Sequence, residues 1–372
     1  MSDSSTQIQE LQINRQDLRD TRVVTRDVPT LGDGEVLLEV DKFALTANNV
    51  TYAVAGDQIG YWQFFPAGGG ENDPNWGIVP VWGFGNVVAS QCADVPVGER
   101  LYGYFPMATH LVVKPGKVRD RSMIDTAEHR AALPPVYNNY SRTAAEPEEL
   151  QAIENERALF FPLFMTSYFL YDYLVDNDYF GAEQVIVGSA SSKTGFGLAY
   201  LLHGNPEGGE RRRVVGLTSP SNVDFVKSLG TYDEVFAYGD VPSMDAKASA
   251  FVDMAGNLDV TSSVHNQFAE QLKASIAVGV THWETDRTPV EMPGPSPEFF
   301  FAPGQIQKRE AEWGPGVAVV KANEAAAKVV HHALEHLTIL DQRGPEAVQT
   351  ALLSLLANDV PPSHGLMVTL HE

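Results

Sequence analysis

The chain has 372 residues, 44% hydrophobic and 20% charged, a globular composition long enough for two separate cores. Its 48 acidic and 26 basic residues give a formal charge of -22, a surface that repels nucleic acid and anionic membranes. Cys92 is the only cysteine, which excludes an intrachain disulfide and any multi-cysteine zinc site.

The first twenty residues, MSDSSTQIQELQINRQDLRD, are polar and of mixed charge, with no apolar signal-peptide core, and the cytoplasm is the expected compartment. Residues 22–115 alternate short β-rich runs (RVVTRDVP, EVLLEVDKFAL, GNVVAS, ERLYGYF, THLVVKP) with turn signals such as Gly32-Asp33-Gly34 and Pro96-Val97-Gly98. That pattern predicts a small antiparallel, barrel-like β domain. Residues 119–157 are irregular and charged and read as an insertion with a short helix. The long apolar run Ala158–Val175 contains Pro162, Thr166, Ser167 and Asp172, which suit a buried helix better than a membrane span.

From residue 159 strands and helices alternate. Strands are predicted at 185–187, 214–217, 234–237, 251–255, 275–280 and 299–301, with helices at 195–203, 221–229 and 259–271 between them. Such βαβ spacing implies a parallel sheet with helices on both faces. Two amphipathic helices, 323–340 and 345–358, and a β-like end, GLMVTL, close the chain.

Val185–Leu202, VIVGSASSKTGFGLAYLL, is an apolar strand, a loop of small residues and an apolar helix. That is the layout of a dinucleotide-binding turn, in which the helix N-terminus offers amides and a positive dipole end to a pyrophosphate. Ser189 stands where the first loop glycine is usual, and of the later glycines only Gly195 clearly remains. Backbone amides from Ser191 to Gly195, the Ser192 and Thr194 hydroxyls and the Lys193 ammonium are the expected phosphate contacts. A nucleotide-hydrolase phosphate loop is excluded, because it would need glycines where Val187 and Ser192 stand.

The second strand ends in Leu217-Thr218-Ser219-Pro220-Ser221-Asn222, with no acid before Asp224. An NAD site wants a carboxylate there for the ribose hydroxyls, whereas neutral hydroxyls tolerate a 2′-phosphate. NADP is therefore the expected cofactor, with Thr218, Ser219 and Asn222 near its ribose phosphate.

The order of parts, together with several local runs, resembles the medium-chain dehydrogenase/reductase superfamily. VPVGERLYGYFPMATHLVVKPGKV (95–118) is similar to its "GD-R-V-x-G … A-E-Y-V-V-V-P" strand pair, with Gly98, Arg100, Gly103 and His110 at matching places. FALTANNVTYAVAG (43–56) resembles its first active-site segment, and VVGLTSPSNVDFVKSLGTYDEV (214–235) its second cofactor-domain strand and helix. FVDMAGN (251–257) and AVGVTHW (277–283) fall where its later cofactor loops do, which adds Gly256 and Gly279 as cofactor contacts. The resemblance is to zinc-independent, quinone-reductase-like members, and above all to a bacterial branch of unknown function.

It implies an α/β protein: an N-terminal GroES-like β-barrel domain (1–160, with the insertion), a Rossmann doubly wound parallel sheet (161–320), and C-terminal elements (321–372) returning to the first domain. Where zinc-dependent members carry ligands, this chain has Thr46-Ala47-Asn48-Asn49 and GFGNVV (83–88), so no metal is expected. Tyr52, from the first active-site segment, is the candidate proton donor, Asn48 and Asn49 are candidate orienting groups, and His282 is a candidate acid–base group. Tyr61, Trp62, Trp82, Tyr104 and Tyr137 are expected as pocket wall or core. The expected activity is hydride transfer between NADP(H) and an apolar or aromatic carbonyl, enone or quinone. A lyase or isomerase that uses a retained nicotinamide transiently, or a non-catalytic nucleotide-binding protein, would share the same scaffold. The expected partner is a small-molecule substrate, with neither nucleic acid nor membrane, and a homodimer is left open.

Overall fold

The computed structural model describes residues 7–68, 74–204, 210–279 and 291–372, which divide into two compact units. The first comprises Met1–Leu159, Ile339–Val360 and His364–Glu372, and the second Phe160–Thr338 and Pro361–Ser363.

The second unit is built on six parallel strands: Gln184–Gly188, Arg213–Thr218, Glu234–Ala237, Ser249–Asp253, Leu272–Ala277 and Glu298–Phe299. Across the sheet they run third, second, first, fourth, fifth, sixth, the order of a doubly wound sheet. Every residue of Gln184–Gly188 and of Ser249–Asp253 is buried, as expected for parallel strands covered on both faces. The two-residue period assigns the sides. Val185 and Val187 join Ala250 and Val252 in one core, while Ile186 and Phe251 enter the other.

One helix among the described residues, Glu154–Asp176, is long and apolar enough to cross a bilayer, and it is mostly buried within the fold. Its polar positions have partners. The Asp172 carboxylate accepts from Arg309 Nε at 2.7 Å and Gln305 Nε2 at 2.6 Å, both on the helix Ala302–Trp313. Ser167 Oγ donates to the Thr194 carbonyl at 2.8 Å, where the helix Lys193–Gly204 crosses. A Cβ on Gly197 would meet Phe164 and Ser167 at 2.6 Å, so glycine sets how closely these two helices approach.

In the first unit, strand Val36–Leu45 pairs antiparallel with Pro80–Ser90, His110–Val113 and His364–Thr369 within a nine-stranded sheet. A separate three-stranded sheet joins Asp17–Asp27, Gln7–Asn14 and Trp76–Gly77.

Within the polar first twenty residues Gln7–Asn14 is a strand: Ile8, Leu11 and Ile13 are buried, and buried Glu10 is paired with Arg26 at 2.6 Å. Two expectations need correction. Residues 119–157 are not an irregular insertion, because Ser122–Asp125 and Asn139–Arg142 are strands of the nine-stranded sheet. The tail helix expected at 323–340 spans Val317–Ala333 and stays with the second unit, and Thr338–Arg343 is a strand. The residues that belong to the first unit are Ile339–Val360 and His364–Glu372, where Gln349 Nε2 donates to Thr21 Oγ1 at 2.7 Å.

Candidate functional site

The turn after Gln184–Gly188 takes a left-handed residue at Ser189, φ 53°, the backbone region that glycine usually supplies. The strain is held by contacts to the loop from the next strands. The Ala190 amide donates to the Leu217 carbonyl at 2.9 Å, and the Tyr232 hydroxyl donates to the Ala190 carbonyl at 2.9 Å. Ser192 caps the helix Lys193–Gly204: its carbonyl accepts from the Phe196 amide at 2.8 Å and its Oγ from the Gly195 amide at 3.1 Å. Three expected phosphate contacts are thus committed inside the turn: the Ser192 amide, which donates to the Ser189 carbonyl at 2.9 Å, the Gly195 amide, and the Ser192 hydroxyl as its acceptor. A Cβ at Gly195 would lie 2.9 Å from Ser192 Oγ and 3.0 Å from the Ser189 carbonyl, so this glycine is needed for the cap itself.

The end of the second strand meets this turn. Thr218 Oγ1 and Asn222 Nδ2 each lie 3.3 Å from Ser191 Oγ, and Ser219 Oγ lies 3.1 Å from Ser221 Oγ. Three residues singled out independently in the sequence, Ser191, Thr218 and Asn222, therefore share one neutral hydrogen-bonding node. Asp224 is exposed on the helix Val223–Ser228. Lys193 opens its helix with Nζ 3.5 Å from the Pro362 carbonyl, and burial pulls the ammonium down to about 8. The Thr194 carbonyl is held by Ser167.

Sequence reasoning missed Asp253. Its carboxylate accepts from the Ala255 amide at 2.9 Å, the Gly256 amide at 3.0 Å and Thr261 Oγ1 at 2.9 Å, fixing the loop after the fourth strand. Gly256 has φ 70° and gives its amide to this carboxylate, so its place in the turn is structural. An acid ending an apolar strand, with a glycine three residues on, was the available signal. Gly279 follows the strand Leu272–Ala277, beside Val278, whose amide donates to the Asp253 carbonyl at 2.9 Å. His282 lies outside the described residues.

In the first unit the tyrosines that could not be sorted along the chain come together. Tyr52, on the helix Ala47–Val54, is 4% exposed, and its ring lies 4.4 Å from Tyr61 and 5.8 Å from Tyr104. Tyr104 and Tyr137 are 4.7 Å apart, and the Tyr61 and Tyr137 hydroxyls 3.2 Å apart. Trp82 Nε1 donates to the Tyr52 hydroxyl at 3.3 Å. Burial raises the Tyr52, Tyr104 and Tyr137 hydroxyls above the ordinary tyrosine range, so the cluster is a set of neutral O–H groups. Asn49 is not an orienting group: its Oδ1 accepts from the Thr46 amide at 2.7 Å and its Nδ2 donates to the Pro80 carbonyl at 2.9 Å. A Cβ on Gly83 would lie 2.3 Å from the Lys42 carbonyl, so the close pairing of these strands requires glycine there.

The family described as "Protein of unknown function (DUF2855)" matches residues 43–361. No curated protein matches the sequence. Among solved structures, CurA from Vibrio vulnificus is similar with a TM-score of 0.59 at 14% identity, over 99% of this chain and 99% of its own. A putative NADPH:quinone reductase from Mesorhizobium loti gives 0.58 at 16% identity, over 98% of each chain. The YhdH oxidoreductase from Salmonella enterica, in complex with NADP, gives 0.53 at 14% identity, over 97% of this chain and 99% of its own. At such identities the likeness establishes the fold, and the resemblance drawn from the sequence holds at that level.

Proposed function

The chain belongs to the DUF2855 family, and from that premise and the geometry of the turn we propose that it is a zinc-independent, NADP(H)-dependent oxidoreductase acting on an apolar or aromatic carbonyl, enone or quinone. We read its second unit as a Rossmann domain and its first as a GroES-like barrel, in a cytoplasmic enzyme of small-molecule substrates. The observation that carries the cofactor reading is the node of Ser191, Thr218 and Asn222, 3.3 Å apart, at the strand end where an NAD site places a carboxylate. Neutral donors there accept a 2′-phosphate that an acid would repel. The N-terminus of the helix Lys193–Gly204, the positive end of its dipole, suits a pyrophosphate. The NADP and NADPH complexes of YhdH and CurA agree with this choice.

Bound NADPH supplies a hydride to the substrate. The protein then has to hold the phosphates, keep the acceptor oriented and give one proton to the developing alkoxide or enolate. Lys193 adds a positive charge at the turn of a net-acidic chain, and Tyr52 is the proposed proton donor, its hydroxyl kept protonated by burial.

Calorimetric titration is expected to show NADPH binding more tightly than NADH, and equal affinity would refute the phosphate argument. Lys193→Ala should weaken NADPH binding by roughly 1–3 kcal/mol, the range for hydrogen bonds to charged groups. Because the ammonium sits at about 8, wild-type affinity should fall as pH rises from 7 to 9 while the variant's stays flat. Dialysis against a chelator should leave turnover unchanged, and its loss together with bound metal would contradict a zinc-independent reaction.

A further inference from the structure

We propose that the C-terminal end of the helix Val317–Ala333 carries a divalent-metal site of the zinc type, formed by His332, Glu335 and His336. One ligand atom from each residue lies within 4.8 Å of the others. His332 lies in the last turn of the helix, and Glu335 and His336 lie in the turn Leu334–His336 that follows it, where the Glu335 and His336 amides donate to the His332 and Ala333 carbonyls at 3.2 and 3.0 Å and keep the three residues together.

The hydrogen bonding assigns the nitrogen. His332 Nε2 lies 3.1 Å from the Leu229 carbonyl, an acceptor only, so this nitrogen carries the proton and Nδ1 carries the lone pair. A backbone carbonyl receiving the second ring N–H is the usual outer support of a metal-bound histidine. Nδ1 lies 3.6 Å from Glu335 Oε2, too long for a hydrogen bond. That spacing is close to the ligand–ligand edge of a tetrahedral zinc site, about 3.4 Å for bonds of about 2.1 Å. The His332 ring is further fixed by stacking on Phe196, 5.8 Å between centroids, from the helix that follows the cofactor turn.

Two imidazoles and one carboxylate suit Zn²⁺ among common divalent cations and leave a fourth position for water. Glu335 is exposed and His336 half-buried, so a cation reaches the site from solvent, and the acidic surface favours its approach. The site lies apart from Tyr52 and the Ser191 node in sequence and in residues used. It would pin the end of this helix to the Leu229 turn.

The test is equilibrium dialysis of the tag-free full chain against Zn²⁺, with metal and protein quantified together. One equivalent is expected for wild type. His332→Ala and His336→Ala should each weaken binding by at least the roughly 10–100-fold that loss of an outer partner costs. Glu335→Gln, at an exposed position that leaves the fold intact, should weaken it about tenfold, while the neighbouring His331→Ala should bind as wild type. Absence of wild-type binding at micromolar free zinc, undiminished binding in the His332→Ala/His336→Ala double variant or in Glu335→Gln, or an equal loss in His331→Ala would overturn the site.

Discussion

Asp125→Ala should destabilise the protein by about 3–5 kcal/mol, the cost of leaving a buried charge without its partner. Asp125 and Arg130 form an ion pair with both side chains at most 2% exposed. The other Asp125 oxygen accepts from the Lys114 and Ala127 amides, each at 3.0 Å, so alanine would also strand two backbone donors. Arg130 has little else to fall back on, since its Nε and Nη2 are buried without a hydrogen-bond partner. Its remaining support is the Tyr140 hydroxyl, 3.4 Å from Nη1, and the rings of Phe65 at 4.5 Å and Phe64 at 5.6 Å, the ring attraction being about 2 kcal/mol at best when desolvated. Urea unfolding of both proteins measures the effect, with exposed Glu128→Ala as a control expected within about 0.5 kcal/mol of wild type. A loss under about 1 kcal/mol would mean that the pair holds nothing together. Phe64 also packs edge-on against Tyr104 and Tyr137, at 5.3 and 5.2 Å, so the same substitution should loosen the aromatic cluster.

That pair belongs to the segment that reads from sequence as an insertion, and the reason it misleads is physical. Its strands are four residues long, too short for a period to show, and its charges face inward to be neutralised rather than outward to water. Gln7–Asn14 is hidden in the same way, because Glu10 and Gln12 are buried and bonded to Arg26 and to each other. The parallel sheet, by contrast, is legible because strands covered on both faces are continuous apolar runs that no surface segment imitates. The turn at Ser189 is legible in kind but not in detail. Local sequence indicates small residues before a helix, but not that Gly195 serves the cap or that Ser191 meets Thr218 and Asn222, residues 27 and 31 positions away. The tyrosine cluster is harder still, since residues 52, 61, 104 and 137 come from four separate elements and only the finished fold makes them neighbours.

Tyr52→Phe should lower turnover about 10²–10⁴-fold, the usual contribution of a positioned general acid. Trp82 Nε1–H points at the Tyr52 oxygen, which therefore acts as acceptor in that contact and keeps its own proton to give. Burial raises the hydroxyl above the ordinary tyrosine range, so it remains protonated wherever the protein is folded at moderate pH. A Tyr52 donor would act as an acid, so at saturating NADPH turnover should show no alkaline fall below the ordinary tyrosine value. NADPH affinity should be nearly unchanged in the variant, because the turn proposed to bind the cofactor belongs to the second unit and Tyr52 to the first. Loss of turnover without loss of affinity separates a proton donor from a residue that merely supports the fold. The assay is nicotinamide oxidation over a panel of quinones, enones and ketones, with Tyr104→Phe measured beside it. If Tyr52→Phe keeps turnover within about threefold of wild type while Tyr104→Phe does not, the donor is Tyr104, whose wholly buried hydroxyl lacks a hydrogen bond of ordinary geometry. If both variants turn over normally, the cluster is core, and the energy of its packed rings, about 0.5–1.5 kcal/mol per pair, is all that it contributes.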